Sequence, residues 1–310
     1  MTENIETKAE NEIKKAPEVV QTAVKDVKPL QEFWNKFNND WSWNLSGALA
    51  YSLLMAIFPF FTALLAILGP VLGGLNPQEF NNIVNRIVEA FPSATATQVS
   101  AILNTARTGL LKANAILWAI SIVLAIYNGS RLFVLVENCF GIIYHLQPRK
   151  FIAQNVTAIG MLILFIILIP IMIGAGAIPA LLISLLPGRA SGIIVNVLDF
   201  LGGWLVAYLL FQAIYIIVPN QKIRFRNSWL GAVLAGLLLQ LYLVLFPLYI
   251  QHFLTGGIAA AVGSAVILLI FFYYFALTLF LGAEINAFFA EGVTSTPNLL
   301  TLVSQTKEQQ

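Results

Sequence analysis

Long runs of apolar residues with almost no charge constrain this chain more than any other feature of its sequence. Several runs reach about 20 residues or more, the length at which an α-helix crosses the roughly 30 Å hydrocarbon layer of a membrane. Only 10% of the residues are charged, whereas a soluble protein carries charge on about a quarter of its residues. The sequence therefore predicts an all-α, multi-pass membrane protein.

Six transmembrane helices can be drawn through these runs. The third contains Pro170 and Pro179 with two glycines between them, a combination that favours a kink or a break. The six predicted spans cover residues 45–72, 115–144, 156–186, 193–218, 229–250 and 259–290.

The segments outside the spans are polar or mixed in composition. Residues 73–114 place apolar side chains near helical spacing, which predicts amphipathic helices in the first extracytoplasmic loop. Residues 1–40 are rich in Glu, Lys, Asn and Gln, and we expect them to form a disordered tail. The chain is thus divided into a polar tail at 1–40, a six-span membrane domain at 41–292 and a C-terminal tail at 293–310.

Lysine and arginine residues fall mainly on one side of the six-span arrangement. The opposite side carries four, most of them in the longest loop. Because loops rich in positive charge stay in the cytoplasm, both termini are predicted to be cytoplasmic. The basic residues on that side are Lys8, Lys14, Lys15, Lys25, Lys28, Lys36, Arg149, Lys150, Lys222, Arg224 and Arg226.

Several function classes are disfavoured by the composition. A net charge of +2 and a pI near 8.6 lack the strong basic character of nucleic-acid-binding domains. Cys139 is the single cysteine, which excludes an internal disulfide. The two histidines show no metal-ligand spacing, and no hydrolase or phosphate-binding motif is present. We predict no enzyme activity, no metal and no cofactor.

Ionisable residues within the spans are the first candidates for a functional site, because they are costly to keep in lipid. Arg131 and Glu137 lie near the cytoplasmic end of the second span, and Glu284 reaches the same depth in the sixth. Arg131 is expected to meet Glu284, Asp199 or an anionic ligand, since a guanidinium binds carboxylates and phosphates alike. An ion pair that only joins two helices is the structural alternative.

Two sets of candidate residues follow. A carboxylate in a low-dielectric site can take up a proton near neutral pH, which suits proton coupling. A basic patch next to a span suits anionic headgroups. The substrate-binding candidates are Arg131, Asn128, Asn138, Glu284, Asn286, Arg224 and Arg226, and the ion-binding or proton-coupling candidates are Asp199 and Glu284.

Four segments of the sequence carry a resemblance to a known family. They are Ala48–Pro59, Glu137–Tyr144, Val218–Ala232 and Leu281–Asn286, the last with the letters LGAEIN. In this order and spacing they resemble the YihY/virulence factor BrkB family, over roughly residues 33–290. The resemblance implies a six-span bacterial inner-membrane protein. Members of that family have been named ribonucleases or linked to envelope integrity, lipid export or cation exchange.

Three hypotheses for the function remain open at the level of the sequence. The first is a transporter or flippase-like exporter of an anionic lipid or another envelope component, with membrane lipids as its partners. The second is a cation/proton exchanger that uses Asp199 and Glu284. The third is a scaffold that transports nothing and binds envelope proteins through its tail. Nucleic acid is not expected as a partner in any of them.

Overall fold

Seven long α-helices make up most of the part of the chain that the structure describes. The computed structural model describes residues 18–72, 81–82, 85, 88, 96, 99–105, 115–176, 192–253 and 257–295. Every regular element among these residues is helical, as the sequence predicts. The helices are α1 (Glu18–Asn39), α2 (Ser42–Leu72), α3 (Ala115–Ile143), α4 (Phe151–Gly176), α5 (Gly192–Ile217), α6 (Phe225–Phe253) and α7 (Gly257–Ile285), and a π-helical turn follows at Asn286–Ala290.

Three of these helices contain described stretches that are long and apolar enough to cross a membrane: Phe200–Ile217 in α5, Phe225–Tyr249 in α6, and Val266–Ala290 in α7 and the turn that follows it. A shorter apolar stretch, Phe151–Ile167, lies in α4, which continues through Pro170 to Gly176. Helices α2 and α3 occupy the positions predicted for the first two spans. The total of six spans, and amphipathic helices throughout 73–114, stay predictions. Within that segment residues 99–105 are helical and bury Val99 and Leu103.

The outer surfaces of these helices are apolar. On α5 the exposed side chains recur every four residues and form one stripe along the helix, consisting of Val197, Leu201, Leu205 and Leu209. A soluble helix turns this kind of stripe toward a protein core, and large exposed apolar patches mark surfaces that water does not cover. This face of the bundle is therefore suited to contact lipid.

Helix α7 is the central helix of the bundle. Of its apolar stretch 56% is buried, compared with 28% in α5 and 33% in α6. It packs against α2 and α6 and also contacts α1 and α3. Polar side chains on α7 are therefore surrounded by protein on most sides, and they need partners from the neighbouring helices.

Two glycines allow α6 and α7 to approach each other closely. A Cβ atom at Gly231 of α6 would collide with the carbonyl oxygen of Gly282 and with the side chain of Asn286. A Cβ atom at Gly282 of α7 would meet the hydroxyl of Tyr215 and the Gly231 carbonyl. Small residues are the usual means by which helices come together in lipid. Here they bring the backbones of two helices close to the residues described below.

The first helix differs from the expectation for residues 1–40, because 18–39 are helical where the composition favours disorder. The physical reason lies at its end, where the apolar side chains of Phe33, Trp34 and Phe37 recur at helical spacing. Phe37 is fully buried, and its ring packs against Trp34 and Trp43. Phe33 packs against Phe288 and Phe289 beyond α7. Aromatic contacts thus dock α1 onto the bundle.

Candidate functional site

A buried lysine joins α1 to α7 at one end of the bundle. Lys36 is fully buried, and its Nζ atom donates to Asp40 Oδ2 at 2.5 Å, to Glu284 Oε2 at 2.5 Å and to the carbonyl oxygen of Ile143 at 2.8 Å. These three acceptors use all three donors of the ammonium group. We name Lys36, Asp40, Ser42 and Glu284 the charge lock, and the end of the bundle where it lies the lock end.

A tight turn between α1 and α2 positions the other members of the charge lock. Asp40 follows Lys36 by one helical turn, and Trp41 adopts a left-handed backbone conformation with φ of 59°. The chain then enters α2 at Ser42, whose hydroxyl donates to Glu284 Oε1 at 2.6 Å. Both carboxylate oxygens of Glu284 are thus hydrogen-bonded, although its side chain is fully buried. Removal of a single partner would leave a buried charge without compensation.

The charges in the lock are unequal in number. Lys36 contributes one positive charge, whereas Asp40 and Glu284 contribute two carboxylates. His145 lies at the edge of this group, with Nε2 at 3.6 Å from Asp40 Oδ1 and a side chain that is 31% exposed. His145 is thus the side chain that contacts Asp40 from outside the charge lock.

Asn286 joins α7 to α6 beside the lock. Its Oδ1 atom accepts a hydrogen bond from the backbone N–H of Gly231 at 2.8 Å, and its side chain is fully buried next to Tyr144. The π-helical turn that begins at this residue ends at Ala290, and two residues later Gly292 has a φ of 69°, where a glycine is favoured. The LGAEIN segment thus places a carboxylate and an amide, two residues apart, against different helices.

A cleft with four polar side chains in its lining opens at the lock end. It has a volume of about 300 Å³ and is lined by Glu137, Asn138, Ile142, Leu146, Gln147 and Asn220, with Gly141 and Pro148 completing its wall. Glu137 is only 3% exposed, and its Oε1 lies 2.9 Å from Nη1 of Arg149. Arg149 also donates to the carbonyl oxygens of Val218 and Pro219, each at 3.2 Å. We name this region the polar cleft.

A second cavity lies deeper in the bundle than the charge lock. It has a volume of about 150 Å³, and every side chain that lines it is apolar. Its walls come from five helices and include Leu49 of α2, Val136 of α3, Phe165 of α4, Ile214 of α5 and Leu279 of α7. Since Leu49 follows Ser42 by two helical turns and Leu279 precedes Glu284 by little more than one, this apolar cavity lies just inside the charge lock.

The structure gives Glu284 a different partner from those that the sequence predicted, because Lys36 occupies the position expected for Arg131. Arg131 is exposed on α3 and lies over the ring of Tyr127, with 6.0 Å between the guanidinium carbon and the ring centroid. It lines neither described cavity. The side chains of Asn128 and Asp199 lie outside the described residues. Their predicted roles stay predictions.

The remaining predicted residues occupy three different environments. Asn138 lines the polar cleft, and its Oδ1 accepts a hydrogen bond from Gln154 at 2.8 Å. Asn286 is buried beside the lock, as described above. Arg224 and Arg226 are exposed where α6 begins, close in sequence to Asn220 of the cleft. The roles of these residues in substrate binding stay predictions.

Lys36, Asp40 and Arg149 are charged residues of the lock end that were not among the predicted site residues. Lys36 was counted only as a tail charge, although a buried Glu284 requires a cation and Lys36 stands between the apolar residues Trp34 and Phe37. That local pattern was the available signal. No comparable signal marks Arg149, which reaches Glu137 across a loop. Among the residues that the structure describes, no His, Cys, Asp and Glu side chains are grouped closely enough to hold a metal ion.

Comparison with known proteins adds a family to this geometry. The family described as virulence factor BrkB matches residues 33–300. A membrane protein of Chromohalobacter salexigens, named UPF0761, is 26% identical over 86% of this chain, and the match spans 64% of that protein. A Vibrio vulnificus protein of the same name is 29% identical over 79% of this chain and 77% of its own. The ribonuclease-like protein YfkH of Bacillus subtilis is 25% identical over 83% and 94%. No solved structure matches.

Proposed function

Since the chain belongs to the virulence factor BrkB family of membrane proteins, we propose that it is a lipid transporter of the bacterial inner membrane, with both termini in the cytoplasm. Its substrate is an anionic lipid or a related envelope component. The observation that carries this proposal is the apolar cavity next to a polar, charged end of the bundle. An amphiphile needs both environments.

The apolar cavity is suited to hold part of an acyl chain. A buried cavity of this size lined by Leu, Ile and Phe stays free of water and accepts small apolar molecules. Leu53, Leu132 and Leu210 in its wall are partly exposed, so a hydrocarbon chain can reach the cavity from the side of the bundle. A charged or strongly polar substrate would lose its hydration in such a cavity without gaining hydrogen bonds. The cavity therefore favours a lipid over a soluble ion or metabolite.

Basic residues at the lock end supply the contact with an anionic headgroup in this proposal. Lys222, Arg224 and Arg226 are all exposed near the start of α6. Each basic residue near an anionic membrane surface contributes roughly 1 kcal/mol of attraction. In the predicted orientation these residues face the cytoplasmic leaflet. The sequence predicted this headgroup role for Arg224 and Arg226 together with Arg131, and Arg131 lines neither cavity.

Filling the apolar cavity is expected to slow lipid transport. Val136→Phe adds bulk at the wall of the cavity, whereas Leu205→Phe adds similar bulk on the lipid-facing surface of α5 and serves as the matched control. We expect at least a fivefold lower rate for Val136→Phe, since roughly 1 kcal/mol of lost chain burial already has that effect. The measurement is the movement of a fluorescent lipid between leaflets in proteoliposomes, after a thermal melt has shown that both variants fold.

Equal transport by Val136→Phe and by the control would remove the apolar cavity from the mechanism. A fall in rate for both variants alike would point to a general effect of added bulk. Either result would contradict the transport route proposed here.

Proton-coupled cation exchange is the second candidate, favoured by the excess of carboxylates over the single ammonium group in the charge lock. In this alternative the lock gains or loses a proton as an ion passes. It predicts ion flux across proteoliposome membranes in response to a pH gradient, with the flux lost in Glu284→Gln. Absence of gradient-driven flux in the wild-type protein would exclude it.

The name of the Bacillus subtilis relative raises the question of ribonuclease activity. We propose that this chain is not an enzyme. Metal-dependent cleavage of a phosphodiester needs clustered carboxylates or histidines, and at the lock end Glu284 and Glu137 are instead ion-paired with Lys36 and Arg149.

The scaffold hypothesis stays a prediction of the sequence, and it requires that the tail alone carries the function.

A further inference from the structure

The polar cleft has the features of a binding site for a headgroup. From its geometry we infer that it binds an uncharged, hydroxyl-bearing group, a polyol or a sugar, carried by a lipid of the adjacent leaflet. This inference rests on the proposed function only where it identifies the carrier as a lipid. The hydroxyl chemistry itself follows from the side chains that line the cleft.

Glu137 is the central residue of this site. Although its Oε1 lies 2.9 Å from Nη1 of Arg149, the guanidinium directs hydrogen bonds to the carbonyl oxygens of Val218 and Pro219. Neither carboxylate oxygen of Glu137 accepts a hydrogen bond from any residue that the structure describes. Buried polar atoms are nearly always hydrogen-bonded. Because Oε1 is ion-paired with Arg149, Oε2 is the acceptor that remains for a donor entering the cleft.

The charge of the site decides which kind of donor fits. Glu137 and Arg149 together carry no net charge. A cation bound to the carboxylate would be repelled by the guanidinium a few ångströms away, and an anion bound to the guanidinium would be repelled by the carboxylate. A neutral group that donates hydrogen bonds meets neither penalty. Hydroxyl groups meet this requirement, since each donates one hydrogen bond and accepts others.

The amide side chains of the cleft match the same chemistry. Asn138, Gln147 and Asn220 line its walls, and each amide offers two N–H donors and one carbonyl acceptor. Asn220 already donates to the backbone of Gln147 at 3.0 Å, which holds the loop before α4 against the loop before α6. Several hydroxyls on one headgroup can therefore bind amides and carboxylate at the same time.

The cleft is accessible from the lipid side. Ile142 lines it and is 47% exposed. Beyond the loop at 144–150, Phe151 and Ile152 at the start of α4 are each 76% exposed, which places a strongly apolar surface close to the cleft. Lys222 and Arg224 follow Asn220 and are exposed, where they can contact a phosphate. A phospholipid with a hydroxylated headgroup satisfies all three features.

Binding of defined lipids to the full-length protein tests this inference. The probes are dioleoyl phosphatidylglycerol, dioleoyl phosphatidic acid, dioleoyl phosphatidylethanolamine and free glycerol 1-phosphate, each titrated in native mass spectrometry. We expect phosphatidylglycerol to bind about tenfold more tightly than phosphatidic acid, which has the same phosphate and no polyol, because the additional hydrogen bonds reach a charged acceptor. Glu137→Gln is expected to abolish this difference.

Control variants separate recognition from folding. Glu291→Gln makes the same chemical change at the lock end, where Glu291 accepts a hydrogen bond from Asn227 and does not line the cleft. It is expected to keep the tenfold preference. If Glu137→Gln fails to fold, Gln147→Ala replaces it, since Gln147 is an exposed wall residue, and it is expected to reduce the preference.

Three results would overturn the inference. Equal binding of phosphatidylglycerol and phosphatidic acid would show that the cleft holds only water. Tighter binding of phosphatidylethanolamine would identify an ammonium site. Glycerol 1-phosphate binding as tightly as the lipid would overturn the lipid carrier. The transport assay distinguishes this inference from the proposed function. Transport at the same rate for lipids with different headgroups would contradict this inference but not the proposed function. Selective binding of phosphatidylglycerol without any lipid transport would contradict the proposed function but not this inference.

Discussion

Replacement of Lys36 by methionine is expected to lower the free energy of unfolding by about 3 to 5 kcal/mol, the usual effect of removing one partner from a buried ion pair. Methionine keeps most of the volume of the lysine stem but supplies no charge and no donor. Asp40 and Glu284 would then be two buried carboxylates with the ammonium group between them removed. The loss is measured by thermal or denaturant-induced unfolding of the purified protein in detergent.

Two further variants make this prediction specific to the charge lock. Lys28→Met changes an exposed lysine on the same helix and is expected to alter the stability by less than about 0.5 kcal/mol. The double variant Lys36→Met with Glu284→Met is expected to recover part of the loss, because well-packed apolar residues often replace a buried ion pair without cost, whereas Asp40 still lacks the ammonium group. Additive losses in the double variant would show that the two residues act independently.

Replacement of Gly231 by alanine is expected to lower the free energy of unfolding by about 2 to 4 kcal/mol. The added Cβ would lie 2.6 Å from Nδ2 of Asn286 and closer still to the backbone of Gly282, which cannot move without displacing α7. The strain therefore separates α6 from α7. It also weakens the hydrogen bond from the Gly231 N–H to Asn286.

Gly47→Ala is the matched control for this substitution. Gly47 lies within α2, and no atom stands within 4 Å of a Cβ built there. Alanine favours a helix by up to about 1 kcal/mol over glycine, so this variant is expected to be as stable as the wild type or more so. Equal effects of the two substitutions, measured by unfolding in the same detergent, would refute the claim that Gly231 is a contact point between helices.

Much of the fold could be predicted from the sequence because membrane helices are recognised by length and absence of charge. The runs at 115–144 and 193–218 predict α3 and α5 to within about one residue. Helix α1 was not predicted, since its polar composition resembles that of a disordered segment. Its stability comes from docking of Phe33 and Phe37 against the bundle. Such tertiary contacts are not visible in local composition.

The candidate site was predicted less completely, and the reason is the distance along the chain between its parts. Glu284 and Asn286 stood out because polar residues in an apolar span are unusual. Their partners Lys36 and Gly231 belong to other helices, and a charge in a polar segment does not show that it will be buried. Arg131 attracted attention for the same reason as Glu284, yet it faces outward. The sequence identified unusual residues but could not pair them.

The charge lock joins residues that are 248 positions apart, so its formation depends on the order of synthesis. A ribosome adding 5 to 20 residues per second needs on the order of 10 to 50 s to travel from Lys36 to Glu284. During that interval Lys36 and Asp40 have emerged without their final partner, and α1 cannot take its place in the bundle. Completion of the lock thus reports that the chain has been translated and inserted through α7, and a shortened chain leaves its first helix undocked.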